Sequence, residues 1–158
     1  MTTATPLESA ERIHADHTTV KHLGHWTEAT AFDVRARRAG VVLDLRSPLI
    51  RWDEPVTVDL RLTGATVTLL LPEDVAVDQW GLAWSGRGRV KDAQGADTST
   101  GRRLRLAGTA RHGEVRVLRG GSAQLAAMCS RAYLDDLRRA HREGGFPTVD
   151  DPARERKN

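Results

Sequence analysis

The sequence predicts a mainly β fold that is followed by one α-helix. Three observations support this prediction: apolar residues alternate with polar ones along several short segments, glycines recur at a nearly constant spacing, and the pattern becomes helical near the C-terminus. We expect a short β-solenoid of about four units, each of about 24 residues, with a C-terminal amphipathic α-helix. An antiparallel β meander or sandwich with the same helix is the alternative.

The clearest strands flank the dipeptide Thr63-Gly64. Every second residue is apolar before this dipeptide and again after it, which is the pattern of a strand with one buried face. The apolar residues are Val56, Val58, Leu60 and Leu62 on one side and Val67, Leu69 and Leu71 on the other. We therefore expect two strands here, ending where Pro72-Glu73-Asp74 breaks the chain.

Weaker alternation predicts further strands on both sides of this unit. It occurs in residues 31–48, in residues 81–92 and, as a last pair of strands, in residues 102–120. Glycines connect these segments at Gly40, Gly64, Gly88 and Gly113, with spacings of 64 − 40 = 24, 88 − 64 = 24 and 113 − 88 = 25. Glycine at such positions serves either a positive φ at a corner or a close approach of two backbones. If the strands are antiparallel, Ala39-Gly40, Thr63-Gly64 and His112-Gly113 are two-residue hairpin turns.

One amphipathic helix is predicted over residues 122–143, with Ser122 as its N-cap and Gly144-Gly145 as its stop. We expect its apolar stripe to cover an exposed end or groove of the solenoid. The domain organisation is then a flexible N-terminal arm over residues 1–25, a β-rich repeat domain over 26–120, a capping helix over 121–145 and a disordered tail over 146–158.

Composition limits the classes of function. The 158 residues fit one domain, and 24 basic against 21 acidic residues give a net charge of only +3. Cys129 is the single cysteine, which rules out an intramolecular disulfide, and its place on the apolar stripe predicts a buried structural thiol. The sequence shows no secretory signal pattern and no apolar run long enough to span a bilayer, so we expect a soluble cytoplasmic protein without a membrane span.

Catalytic and metal-binding chemistry finds little support in the sequence. Four histidines lie at H-x2-H-x4-H-x2-H spacing, but no cysteine or H-E-x-x-H pattern accompanies them, and exposed histidines are the favoured interpretation. They are His14, His17, His22 and His25. No nucleophile elbow or glycine-rich phosphate loop is present. We expect a protein without enzymatic activity, without catalytic residues, and without a metal or other cofactor.

The candidate interaction residues are arginines that recur along the predicted strands, together with one tyrosine on the predicted helix. They are Arg35, Arg37, Arg87, Arg89, Arg103, Arg105 and Tyr133. Stacked units would align some of these arginines as a basic ladder able to follow phosphates, so a nucleic-acid-binding protein is the alternative function. Acidic residues interleave with the arginines, as they do on any solvent-facing strand, and nucleic acid is therefore the less favoured partner.

Three segments carry a resemblance to a known family: TGATVTLLLPEDVAVD, GRGRV and RLRLAGTARHGEVRVLRG. The arrangement resembles the C-terminal domain of LiaF-like cell-envelope stress proteins and related adhesin-like β-solenoid domains, over about residues 32–120. The resemblance implies a short right-handed β-solenoid that acts through protein contacts, although this chain lacks the transmembrane segments of the anchored members. We expect a non-catalytic protein-interaction or self-assembling scaffold module with a link to cell-envelope stress signalling. Its protein partner is unknown, and homo-oligomers are expected.

Overall fold

A computed structural model of the protein describes residues 10–92, 101–145 and 147–152. Over these residues the chain is mainly β and ends in two helices. The strands are β1 Glu11–Asp16, β2 Thr19–His22, β3 Ala31–Arg37, β4 Gly40–Asp44, β5 Val56–Thr63, β6 Thr66–Leu71, β7 Ala76–Asp92 and β8 Arg103–Arg119. The helices are α1 Gly120–Met128 and α2 Arg131–Glu143.

Every strand pairing between these elements is parallel, so the antiparallel meander or sandwich is wrong. The pairing order is β1-β3-β5-β8-β6-β4-β2, and β7 lies along β8. We call β1, β3, β5 and residues 104–111 of β8 the first arm, and β2, β4, β6 and residues 114–119 of β8 the second arm. The result is a nearly closed parallel sheet of barrel-like or solenoid-like form.

β7 and β8 are added to the sheet in the reverse of their order in the chain. A solenoid of four successive units would place β7 beside β5 and β6, but β8 occupies that position and β7 lies outside it. The regular four-unit arrangement is therefore not confirmed. Burial gives the physical reason, because an interior strand must bury its inward side chains completely. Leu104, Leu106 and Val115 of β8 do so, whereas Val77 and Val90 of β7 remain half-exposed.

The inward side chains of both arms meet in one aliphatic core. The alternation predicted around Thr63-Gly64 is confirmed: Val58, Leu60, Val67 and Leu69 are all fully buried. Burial of aliphatic side chains is the main source of stability in such a sheet, at about 1.5–3 kcal/mol per fully buried side chain.

The corner between the two arms is built from residues with left-handed backbone. Gly64 stacks there with Arg38 and His112, because Arg38 donates its N–H to the carbonyl of Thr63 and Gly64 donates to that of Arg111. The φ angles are +58° at Gly64, +46° at Arg38 and +52° at His112. His17 and Gly86 hold the equivalent positions on β1 and β7.

The predicted glycine repeat is therefore only partly a repeat of corners. Of Gly40, Gly64, Gly88 and Gly113, only Gly64 has positive φ at the corner. Gly88 serves the other role, a close approach of two backbones, since a Cβ there would lie 2.7 Å from the carbonyl oxygen of Gly113 and would also overlap the Trp84 ring. Gly88 thus lets the indole cross the backbone of its own strand.

Two helices replace the single predicted helix. The chain breaks at Cys129, and Ser130 caps α2 by accepting a hydrogen bond from the N–H of Tyr133 at 3.1 Å. Ser122 is not an N-cap but lies inside α1. The helical layer also covers a different surface from the one expected: Ala123 and Ala127 pack on Leu70, on the outer face of the second arm.

Both predicted flexible ends contribute to the fold where the structure describes them. The N-terminal arm contains β1 and β2, which pair with β3 and β4, and Ile13 and Ala15 are buried in the core. The charged residues Glu11, Arg12 and Asp16, which flank Ile13 and Ala15, hid this short alternation. Residues 147–152 of the expected disordered tail dock against the domain, and the other tail residues lie outside the described ranges, as do residues 1–9.

Candidate functional site

The outer edge of β7 is the first surface with an evident capacity for contact. Among the residues that the structure describes, β7 pairs with β8 and with no other strand, although it is 17 residues long. A long unpaired edge presents backbone N–H and C=O groups that can pair with another chain. Trp80 projects from this strand with 94% of its surface exposed, and Trp84 is only half-buried.

Two irregularities shape the β7 edge. Register shifts occur between Asp78 and Gly81 and between Ser85 and Gly88. In the first of them, the Trp80 N–H donates to the Asp78 carboxylate at 3.1 Å, which fixes the backbone that presents the exposed indole. Bulges of this kind bend a strand and re-aim its side chains.

β7 and β8 are also joined by a buried charge. The Arg119 side chain, 2% exposed, forms an ion pair with Asp92 and donates from Nη2 to the carbonyl of Val75 at 2.8 Å. Arg119 thereby ties the last residue of β7 and the turn before β7 to the end of β8. Removing one member of a buried pair typically costs about 3–5 kcal/mol, so this contact fixes β7 in place.

A charged groove on the outer face of the first arm is the second candidate surface. In-register pairing places two rows of outward side chains across β1, β3 and β5, and the rows enclose a volume of about 430 Å³. The lining residues of this groove are Arg12, Asp33 and Asp59 in one row and His14, Arg35 and Arg61 in the other.

The arginines of this charged groove are only partly paired with its carboxylates. Arg35 Nη2 lies 3.7 Å from the Asp33 carboxylate, with side-chain exposures of 48% and 15%. Arg12 and Arg61 form no ion pair within the described part of the chain. Asp59 lies low on the sheet, and a Cβ on Gly108 would come within 2.7 Å of its Oδ1. The carboxylates therefore form the base of the groove, while the guanidinium groups reach its rim.

The predicted arginines are distributed over several surfaces. Arg35 and Arg37 project outward from β3, and of these two only Arg35 lines the charged groove. Arg103 and Arg105 are exposed on β8, opposite Ala76 and Asp78. Arg87 lies at the corner of β7, and Arg89 pairs in register with Glu114 on the second arm, with Nε at 4.0 Å from its carboxylate. The structure does not bring these six residues together as one row.

Sequence reasoning missed most of the charged groove. Arg12, Arg61, Asp33 and Asp59 are not among the candidate residues predicted from the sequence, and His14 belongs to the histidine group for which exposed side chains are favoured over a metal site. A signal was present: the pattern apolar-Asp-apolar-Arg-apolar occurs at residues 32–36 and again at 58–62. Parallel in-register pairing converts this repeat into adjacent rows of like residues.

The helical layer exposes apolar side chains. Leu125, Met128 and Leu137 of the predicted apolar stripe are between 39% and 65% exposed, as is Leu134, so these side chains are not covered within the described structure, whereas Ala140 is buried. Tyr133 is half-buried in the first turn of α2. Cys129 is exposed at the break between the helices, which corrects its expected burial.

Residues 147–152 are held by three separate parts of the domain. The fully buried Asp44 carboxylate binds the Arg46 guanidinium, with Nε at 2.9 Å, and Arg46 Nη2 donates to the carbonyl of Val149 at 3.2 Å. Gln124 of α1 donates to the Asp150 carboxylate at 3.0 Å. Asp136 of α2 accepts the Val149 N–H at 3.0 Å and also that of Thr148.

The electrostatics of Asp136 follow from these contacts. Partial burial opposes its ionisation, but hydrogen bonds from Arg139 and from the N–H groups of Thr148 and Val149 outweigh burial. The pKa of Asp136 is therefore lowered from its ordinary value of 3.8. The ionised carboxylate is the form that holds the segment.

The four N-terminal histidines are not brought together. His22 stacks on Trp26 with ring centroids 4.6 Å apart, and His25 Nδ1 lies 2.5 Å from the Ser47 hydroxyl. His14 lines the charged groove, and His17 occupies the corner. Among the described residues, no three His, Cys, Asp or Glu side chains are placed to hold a metal ion, and no helix is long and apolar enough to cross a membrane.

Comparisons of the chain with protein-family models, with curated proteins and with solved structures gave no match.

Proposed function

We propose that this protein is a non-catalytic scaffold module that self-assembles through the free edge of β7. The observation that supports this proposal most directly is a 17-residue strand that, within the described part of the chain, pairs on one side only and carries Trp80 with 94% of its surface exposed. Natural sheets usually shorten, charge, bend or cover such an edge. On β7 the two bulges lie on either side of residues 81–85, and the exposed charges of Arg87, Arg89 and Lys91 lie beyond this stretch. The regular stretch over residues 81–85, beside Trp80, is therefore the part suited to a partner backbone.

The strands at the two ends of the stacked layers, β7 at one end and β1 with β2 at the other, follow similar paths. β7 follows both arms and turns at Gly86, and β1 and β2 follow the same arms and turn at His17. Both turning residues have left-handed backbone, with φ of +74° and +54°. A second copy can therefore continue the parallel ladder by placing its β1 and β2 against β7. As part of the proposal, we infer that the stack is a right-handed β-solenoid, the hand that the sequence resemblance implies.

Contacts of this kind are heterologous, because β7 of one copy meets β1 and β2 of the next. Heterologous contacts that do not close into a ring generate open filaments. We therefore expect a ladder of masses that grows with concentration. The proposal also includes a link to cell-envelope stress signalling, which rests on the sequence resemblance.

Size-exclusion chromatography with light scattering tests the β7 interface. Trp80→Lys places a charge on the edge, and we expect it to lower the mean mass toward that of the single chain. Leu125→Lys is the matched control: it changes an exposed apolar residue on α1, 65% exposed, and should leave the mass distribution unchanged.

Two results would overturn the assembly proposal. One is a wild-type protein that stays at the mass of one chain over a wide range of concentration. The other is a loss of assembly in Leu125→Lys but not in Trp80→Lys, which would move the interface to the helical layer. A salt-sensitive peak with high absorbance at 260 nm would instead favour nucleic-acid binding through the exposed arginines.

A further inference from the structure

We propose that the charged groove on the first arm binds a small polyanion with two acidic groups about one strand spacing apart. Polyphosphates and polycarboxylates share this chemistry. The groove lies on the outward face of β1, β3 and β5, whereas the proposed assembly contact uses the edge of β1, so the two proposals rest on different observations.

The register of the first arm creates the binding row. His14 pairs with Arg35, and Arg35 pairs with Arg61, so three basic side chains follow one another across neighbouring parallel strands. Neighbouring strands lie about 4.8 Å apart, which sets the distance between these side chains where they leave the sheet. Like charges directly opposite each other on adjacent strands destabilise a sheet. A bound anion that bridges Arg35 and Arg61 removes this repulsion.

The row formed by Arg12, Asp33 and Asp59 does not cancel the positive charge at the rim of the groove. Arg12 adds a third guanidinium, against the two carboxylates of Asp33 and Asp59. Asp33 is only 15% exposed and is already paired with Arg35, and Asp59 lies over Gly108 at the base. Arg61 has no ion-pair partner among the described residues. The groups that an incoming ligand meets first are therefore basic, and guanidinium groups suit phosphate and carboxylate oxygens.

The length of the basic row favours a small ligand over a nucleic acid. Beyond Arg61, the same row continues with Thr109 on β8 and Ala83 on β7, neither of which is charged. Three residues at this spacing span about 10 Å, enough for two acidic groups but not for an extended phosphate backbone. The volume of about 430 Å³ also fits a small molecule.

Isothermal titration calorimetry at constant ionic strength tests this site with pyrophosphate and with citrate, and with acetate as a monoanion. We expect one ligand per chain for at least one of the two polyanions and much weaker binding of acetate. Binding of pyrophosphate alone assigns the groove to phosphates, and binding of citrate alone assigns it to carboxylates.

Charge-matched variants locate the site. Arg61→Gln should weaken binding at least tenfold, whereas Arg105→Gln should leave it unchanged, because Arg105 is exposed on the same arm but outside the groove. Arg12→Gln provides a second groove variant if Arg61→Gln does not fold. Absence of binding at millimolar concentration of both polyanions would overturn the proposal. Equal weakening by the groove and control variants would also overturn it, since binding would then reflect net charge alone.

Discussion

At the scale of single residues, the corner between the arms shows how the sequence tolerates left-handed backbone. Left-handed φ costs an L-residue roughly 1–2 kcal/mol. His17, Arg38 and His112 nevertheless adopt it, with φ between +46° and +54°. Each lies beside strands whose ladder fixes the turn, so neighbouring hydrogen bonds offset the local strain. Gly64, with φ of +58°, occupies the same corner on β5–β6 without that strain.

Substitution of Gly64 separates backbone strain from crowding. A Cβ at Gly64 meets its nearest atom only at 3.8 Å, so Gly64→Ala should destabilise through φ alone, by about 1–2 kcal/mol. Gly40→Ala is the control, because Gly40 lacks positive φ and its Cβ would make ordinary contacts with Thr19 at 3.6 Å. Urea denaturation measures both variants. Equal free energies of unfolding for the two variants would contradict the assignment of Gly64 as the strain-free corner.

At the scale of elements, the segment over residues 147–152 depends on one carboxylate of α2. Asp136→Asn keeps the size of the side chain but weakens its hydrogen bonds to the N–H groups of Thr148 and Val149. We expect the free energy of unfolding to fall by about 1–2 kcal/mol. Hydrogen exchange at these two amides should accelerate. Asp135→Asn removes the same charge from an exposed neighbour and should change stability by less than about 0.5 kcal/mol. Unaltered exchange in Asp136→Asn would show that Arg46 and Gln124 hold the segment without Asp136.

The same contact predicts a dependence on pH. The pKa of Asp136 in the folded protein lies below its ordinary value of 3.8, so the stabilisation is complete above that value and is lost as pH falls through the lowered one. Amide exchange at Thr148 and Val149, measured by NMR and corrected for its intrinsic pH dependence, should rise in wild type below pH 3.8. Asp136→Asn should lack this rise. A rise of equal size in the variant would assign it to another acidic group.

Period-2 alternation made the central strands predictable, because their alternate side chains are wholly buried. β5 and β6 illustrate this, with Val58 and Leu69 fully buried at expected positions. The exchange of β7 and β8 was not predictable, since both carry similar alternation and only the competition for one interior position separates them. The helix break at Cys129 was hidden for another reason: Ser130 caps α2 while the apolar spacing continues across it.

The candidate surfaces were less predictable than the strands. The repeated Asp and Arg of residues 32–36 and 58–62 predict an outer face with charges, but the groove depends on which strands are adjacent. Arg35 was identified as an interaction residue, while its neighbour Arg61 was not. The exposed edge of β7 depends entirely on the order of the stack, which is a long-range property that local patterns do not contain.

At the scale of the whole molecule, the helical layer protects an apolar outer face. Deleting residues 122–143 uncovers Leu70, which is fully buried under Ala123 and Ala127, together with the partly buried Val42 and Leu118. We expect larger assemblies or loss of solubility, because contiguous exposed apolar surface promotes association. Light scattering and sedimentation of the deletion variant measure this. A deletion variant with the solubility and mass distribution of the intact chain would show that the second arm needs no cover.

The position of β8 between β5–β6 and β7 also governs the order of events in folding. When residues up to Asp92 have been synthesised, β7 exists but its native partner does not, and the parallel edge then open to it is that of β5 and β6. That edge is the one β8 must later occupy. If β7 pairs there first, β8 has to displace it, and we expect this strand exchange to be a slow step in a fold dominated by distant contacts. β8, the last strand among the described residues, thus fixes the final position of β7.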